Sequence, residues 1–335
     1  MKKRLLGTLT VSEVGMGCMG FSHGYGVPPE ECYAVEAIRK AFDFGCTFFD
    51  TAETYGREQF YPGHNEELVG KAIHPFRKDV TLATKFHLGP KEKRAGKSTE
   101  QVVREHLGQS MKRLQTDYVD LYYLHRLSED VPVEEVAKVM RKLIQEGLIR
   151  GWGLSQVSTE TLDRAHKVTP VSAVQNLYNM VERDCEQDIF PYCLGHNIGV
   201  VPFSPIASGL LSGKVTAQTK FEGDDVRKFV PQLSKENLEA NQPIVDLLGM
   251  FAQTKSCTPA QVALAWMLHK YPNAVPIPGS KNQKRILENL GGANVLLTPR
   301  EFSQLEACLD AQTVHGHRGH VESEGKSFSN NWRGK

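Results

Sequence analysis

The chain has 335 residues, 40% of them hydrophobic and 24% charged, ordinary proportions for a globular protein and enough length for one large barrel or two modest domains. Forty basic residues against 39 acidic ones leave a net charge of +1, which argues against a nucleic-acid partner, since such proteins show a basic surplus or stripe. No apolar run approaches the roughly 20 residues of a membrane span, so no membrane partner is expected either.

The first residues, MKKRLLGTLTVSEVG, are basic but lack the continuous apolar stretch of a signal peptide. Leu5, Leu6 and Leu9, interrupted by Gly7 and Thr8, predict a short β-hairpin. From there, short β-rich runs alternate with helical stretches. Strand-like runs fall at 12–18, 46–52, 80–86, 119–125, 149–155, 171–179, 198–205 and 274–280, rich in Val, Ile, Phe and Tyr as buried parallel strands are. Among the intervening helices, 99–116 places Val103, Leu107, Met111 and Leu114 on one stripe, with Ser98 and Gln101 spaced as a capping box. In 133–146, Val133, Val136, Met140, Leu143 and Ile144 trace another stripe, ended by Gly147. Eight such units close most naturally into a (β/α)8 barrel with an N-terminal hairpin; an open doubly wound sheet is the competing architecture.

No break in composition divides the chain, so a single domain over 1–335 is expected. Residues 213–241 are polar and poorly periodic and read as a long loop; residues 315–335 read as a polar tail. The three histidines of HGHRGH at its start lack an acidic or cysteine partner at firm spacing, so no metal is expected there. The seven cysteines (18, 32, 46, 185, 193, 257 and 308) are odd in number and contain no CxxC pair. That pattern suits neither a disulfide framework nor a zinc site, and it makes a reducing cytoplasm the expected compartment.

GMGCMG at 15–20 matches GxGxxG literally. A Rossmann turn requires a helix opening at the last glycine. Here FSHGYGVPPEE follows, and the next helix is expected only near 29–31. The match is refused.

Chemistry concentrates at strand ends, where barrel active sites are built. Asp50 ends the second strand with Tyr55 in the loop beyond, Lys85 ends the third, and His125 ends the fourth. Read singly, each has an ordinary structural use. Together, in one layer, they form a constellation for proton transfer.

Here the chain resembles the aldo-keto reductase family. The resemblance rests on GCTFFDTAETYG, LATKF, VDLYYLHR, IRGWGLS, VQNLYN, VPFSPIASGLLSGK and IPGSKNQKRILEN, which occur in the family's order over roughly residues 5–310. It implies a catalytic tetrad of Asp50, Tyr55, Lys85 and His125, an NADPH cofactor, and a small carbonyl compound as substrate. A tyrosine near its ordinary pKa of ~10 is a slow proton donor at neutral pH. Lys85 is expected to lower that pKa, Asp50 to hold the lysine charged, and His125 to orient the carbonyl oxygen.

For the cofactor, Lys281 and Arg285 lie four apart at a helix start, spaced to clamp the adenosine 2′-phosphate and so favour NADPH over NADH. By resemblance, Glu288 and Asn289 contact adenine, Ser155 and Gln175 the nicotinamide carboxamide, and Phe203 stacks on the nicotinamide. Ser204, Ile206, Ser208, Gly209, Leu210 and Lys214 line the pyrophosphate, with 213–241 as a flap over it. Two departures stand out: Gln156 replaces the family's frequent Asn, and Gly279-Ser280 precede Lys281 where relatives often have Lys-Ser. Phe21, Tyr25, Phe86, His87, Arg126, Trp152 and the tail are candidates for the pocket mouth. Two other readings remain at this point: a cofactor-binding regulatory protein like the potassium-channel β subunits, and a lyase or isomerase using Lys85 as a Schiff-base nucleophile.

Overall fold

In the computed structural model, which describes residues 1–89, 94–319, 322–323 and 326–327, the first element is the expected hairpin. Strands β1 (Lys3–Leu6) and β2 (Leu9–Ser12) pair antiparallel around the Gly7-Thr8 turn. Seven strands then run parallel in chain order: β3 (Met16–Gly17), β4 (Phe48–Asp50), β5 (Thr81–Phe86), β6 (Val119–Leu124), β7 (Ile149–Ser155), β8 (Ala173–Gln175) and β9 (Gly199–Val200). The eighth stave, 274–279, closes the ring. It bridges to β9 at Val200–Ala274 and to β3 at Gly17–Gly279, with Val275 N donating to Val200 O at 2.8 Å and Gly15 N to Pro276 O at 2.9 Å. Pro276 and Pro278 remove two ladder donors, so the stave is bridged rather than fully laddered.

Helices α1 (Glu31–Asp43), α2 (His64–Ile73), α3 (Thr99–Leu114), α4 (Val133–Gln145), α5 (Thr159–Val168) and α6 (Ile189–Gly195) follow β3 to β8 in turn. After β9 come α7 (Lys235–Ala240), α8 (Gln242–Thr254) and α9 (Pro259–Lys270), and after the last stave α10 (Gln283–Leu290) and α11 (Pro299–Asp310). The α3 capping box forms as expected, with Gln101 N on Ser98 Oγ and Ser98 N on Gln101 Oε1. The loop reading of 213–241 needs correction over 235–240. There Ser234 accepts from Asn237 N at 3.2 Å and caps α7, a helix too short to show periodicity. Among the described residues no helix is long and apolar enough to cross a membrane. Of the tail, His320 and most of the residues after it lie outside the described residues.

Period-two alternation sorts the strand residues into two layers. Phe48, Ala83, Leu121, Tyr123, Ala173, Val201, Val275 and Ile277 point into the barrel and pack on Leu6, Leu9 and Val11, so the hairpin plugs its bottom. The opposite face, including Phe49, Leu82, Tyr122, Leu154 and Val174, packs under the helices. This parity corrects three pocket-mouth candidates. Phe86 and Trp152 point outward and are fully buried, Phe86 stacking on Tyr122 at 4.7 Å and Trp152 donating to Thr169 O; Phe21 is buried in the same outer cluster.

The refused GMGCMG motif has a different use. After Gly17 comes a 3-10 turn over Met19–Phe21, and α1 opens only at Glu31. A Cβ at Gly17 would stand 3.0 Å from Ile277 O, so the glycine lets the last stave approach and the barrel close.

Leu6 is fully buried against Gly199 at the barrel floor, where a Cβ would collide with it. Leu6→Ala is expected to cost about 2–5 kcal/mol, read as a lower denaturant midpoint. An unchanged midpoint would contradict the plug.

Candidate active site

The alternation that fills the barrel also sets its top layer. Asp50 stands two residues beyond Phe48, Lys85 beyond Ala83, His125 beyond Tyr123, Gln175 beyond Ala173 and Phe203 beyond Val201. Each is therefore the next inward position after a core residue, at the C-terminal end of its strand.

Lys85 is fully buried and uses all three of its donors. They go to Asp50 Oδ1 at 2.5 Å, Thr51 O at 2.9 Å and Tyr55 Oη at 3.3 Å. Gln175 Nε2 donates to the second carboxylate oxygen of Asp50 at 2.9 Å. Tyr55 comes in on the loop after β4, and His125 stands edge-on to its ring with centroids 5.9 Å apart. Glu53, which no sequence motif singles out, pins that loop. Its Oε1 accepts from His87 N at 2.8 Å and its Oε2 faces His106 Nδ1 at 2.7 Å.

Burial opposes the charge on Lys85, yet Asp50 and Tyr55 outweigh it and hold the ammonium protonated, above its ordinary range. Burial pushes the Asp50 carboxyl up, opposed by Lys85 and Gln175. For Tyr55 the expectation is corrected in sign: burial pushes the phenol up, and although Lys85 and Arg126 pull it down, the net direction is upward. His125 is driven well below its usual value by burial and then by Lys85, His87 and Arg126, which makes it a neutral imidazole.

A cleft of about 470 Å³ opens over this layer. It begins at Asp50, Tyr55, His125, Ser155, Gln175 and Phe203. It passes Ser204, Ile206, Ser208, Gly209 and Lys214, and ends at Gly279, Ser280, Lys281, Arg285, Glu288 and Asn289. Tyr25 and Arg126 line it too, as expected of the mouth. Lys85 lies beneath it and Leu210 packs into the core, so neither lines it. Gln156 turns away at φ 55° and accepts from Leu177 N at 2.7 Å, bracing the end of β8.

The middle of the cleft is formed by a tightly turned loop. Ser204, Ala207, Ser208 and Gly209 all take positive φ, of 51°, 48°, 54° and 104°, with Ala207 N donating to Ser204 O at 2.9 Å and Gly209 N to Ile206 O at 3.0 Å. Ser208 Oγ is buried there with no hydrogen-bond partner among the described residues. At the far end the helix start offers less than its sequence suggests. Asn282 caps it by accepting from Arg285 N at 3.1 Å, and Gln283 N donates to Tyr33 Oη at 2.9 Å. Lys281 Nζ donates to Val27 O at 2.6 Å, and Lys214 pairs with Glu288 at 2.8 Å.

The segment read as a flap crosses this cleft. Val226 N donates to Gly24 O, Gly24 N to Asp224 Oδ2, and Arg227 packs over Tyr25 with its centre 5.2 Å from the ring. Arg318, in the tail expected at the mouth, lines the cleft, as do Arg227 and Met19, which no sequence signal singles out.

Comparison with known proteins gives one answer. The model of the aldo/keto reductase family matches residues 13–310. A probable aldo-keto reductase 1 from Glycine max is 36% identical over 313 residues, covering 92% of this chain and 88% of the relative. Among solved structures, the glycerol dehydrogenase of Gluconobacter oxydans superposes with a TM-score of 0.80 at 28% identity, covering 96% of this chain and 98% of that one. An aldo/keto reductase from Klebsiella pneumoniae, solved with NADP and acetate, gives 0.72 at 28% identity over 95% and 98%. A third, also from Klebsiella pneumoniae and solved with NADPH, gives 0.72 at 27% over 96% and 100%. With its family match, its relatives and its barrel in agreement, the chain belongs to the aldo/keto reductase family.

Proposed function

We propose that the protein reduces aldehydes or ketones with NADPH, Tyr55 passing a proton to the carbonyl oxygen. One observation carries the reading: at the floor of the cleft a desolvated ammonium, Lys85, spends one of its three hydrogen bonds on the Tyr55 hydroxyl at 3.3 Å.

The cofactor fits the residues present. NADP and NADPH in the two Klebsiella pneumoniae relatives support the same cofactor here. Phe203 offers a ring face at the catalytic end, and the Ser204–Gly209 run with the unpartnered Ser208 hydroxyl suits the pyrophosphate. Lys281 and Arg285 would hold the 2′-phosphate by their side chains, since two of the helix-start amides are already occupied. Bound there, the cofactor supplies the hydride that goes to the carbonyl carbon.

The chain's own groups handle the proton. A carbonyl oxygen resting between Tyr55 and His125 accepts hydrogen bonds from a phenol and a neutral imidazole. As negative charge grows on that oxygen, the Tyr55 proton moves onto it, and the phenolate left behind is stabilised by Lys85. Asp50 keeps Lys85 charged throughout, with both its oxygens committed. In a dry site these contacts are stronger than in water.

Tyr55→Phe is expected to lower NADPH oxidation by a reactive aldehyde by roughly 100-fold or more while leaving NADPH binding intact. Equal rates from both proteins would remove the proton-donor role.

The upward shift of Tyr55 sets the pH dependence. Reduction needs the protonated phenol, and raising its pKa widens the window in which that form prevails. So kcat/KM for reduction should stay level from neutrality to about pH 9, falling only beyond the ordinary phenol range near ~10. Alcohol oxidation needs the phenolate and should rise over the same alkaline range. A reduction profile already falling between neutrality and about pH 8 would contradict the assignment.

Replacing both Lys281 and Arg285 by Ala should weaken NADPH binding at least about tenfold more than NADH binding, measured by fluorescence titration. Equal weakening of the two nucleotides would contradict the phosphate clamp.

A further inference from the structure

Arg126 directly follows His125 at the end of β6 and lines the cleft at its catalytic end. Half-buried there, it donates from a single nitrogen, Nη1, to His125 O at 2.6 Å and to Ser155 Oγ at 3.0 Å. The guanidinium is thereby fastened to the ends of two neighbouring strands, β6 and β7. Its charge reaches both proton-handling groups. Burial dominates the shifts of Tyr55 and His125, yet in each the Arg126 charge contributes, pulling the phenol down and helping to keep the imidazole neutral. Lys85, the other cation near these groups, is matched by Asp50 beneath it.

On the NADPH reading, Ser155 and Gln175 take the nicotinamide carboxamide. A ring bound there stands one hydrogen bond beyond a hydroxyl that Arg126 already touches. The reduced ring is neutral. The oxidised ring is a pyridinium cation, because the hydride that passes to the carbonyl carbon takes both electrons of its bond. A fixed positive charge beside the ring therefore repels one form and not the other.

No other group named along the cleft supplies such a difference with this sign. The phosphates are the same in both forms, so Lys281, Arg285 and the Ser204–Gly209 loop meet identical partners. Phe203 offers a ring face, which attracts positive charge and works in the opposite direction. We propose that Arg126 discriminates between the oxidation states of the cofactor, making the protein hold NADPH more tightly than NADP+. This rests on the NADPH reading and adds to it a bias that favours loading for reduction and release of the spent nucleotide.

The test reads binding rather than turnover. Dissociation constants for NADPH, NADP+ and 2′-phospho-ADP-ribose, which lacks the nicotinamide, are measured by calorimetry at one ionic strength. The unaltered protein should bind NADPH more tightly than NADP+. In Arg126→Met the ratio of the constants, NADP+ over NADPH, should fall roughly 5- to 30-fold, with 2′-phospho-ADP-ribose changed less than about twofold. Arg126→Gln, which can still donate to Ser155 Oγ but carries no charge, should lower the ratio as far and so separates charge from contact. Arg126→Lys keeps the charge and should preserve most of the ratio. An unchanged ratio in the two neutral variants, an equal fall in Arg126→Lys, or a matching loss of 2′-phospho-ADP-ribose affinity would each overturn the proposal. Failure of the unaltered protein to bind any of the three would be a different result, removing the NADPH reading and the proposal with it.

Discussion

A lysine ammonium held where no water reaches is the constraint on which the rest of this site depends. Lys85 is tolerated only because Asp50, Thr51 O and Tyr55 satisfy its three donors at once. Each partner must be supported in turn, which extends the requirement outward. Asp50 needs Gln175 for its second oxygen, and Tyr55 needs a loop that cannot drift, which Glu53 secures between His87 N and His106. A loosely packed barrel could not hold such a network. The hairpin plug and the interior layer of Phe48, Leu121 and Tyr123 are thus as much a part of the chemistry as the polar groups above them.

The same network explains why the phenol is not simply made acidic. Lys85 pulls its pKa down, but the burial that strengthens this attraction also penalises a phenolate, and burial wins. A tyrosine shifted upward is a poor resting acid and a well-kept proton store. In the proposed reaction it releases its proton only when charge develops on an oxygen beside it, which is when the ammonium counts most. His125, driven neutral by the same burial and by the same lysine, complements it without adding charge.

Much of this was legible in the sequence, because two periodicities and one geometric rule carry it. Strand ends in a barrel form a ring, so Asp50, Lys85 and His125 could be assigned to one layer from their places alone. The capped stripe of α3 was equally plain. The features that escaped have physical causes. Parity decides whether a strand aromatic faces the cleft or the helices, and a half-turn of the chain put Phe86 and Trp152 outside. The closing stave was expected at 274–280; only its thinned ladder, from the donors that Pro276 and Pro278 lack, was not. The net direction of the Tyr55 shift depends on burial, a quantity that no motif encodes. The flap and the tail were both expected at the cleft, but polar stretches without period do not say that Arg227 and Arg318 are the side chains that enter it.

Charge along the cleft obeys one rule that separates scaffold from recognition. Cations that serve the protein's own architecture are matched within the chain: Lys85 with Asp50, Lys214 with Glu288, Arg227 with Asp225. Among the described residues Lys281, Arg285 and Arg318 form no such ion pair, and Arg126 donates to His125 O and Ser155 Oγ. Leaving a partly desolvated cation unmatched lowers the stability of the empty protein, and the cost is recovered only when an anion arrives. On the proposed reading the pair at Lys281 and Arg285 answers to the 2′-phosphate of the cofactor.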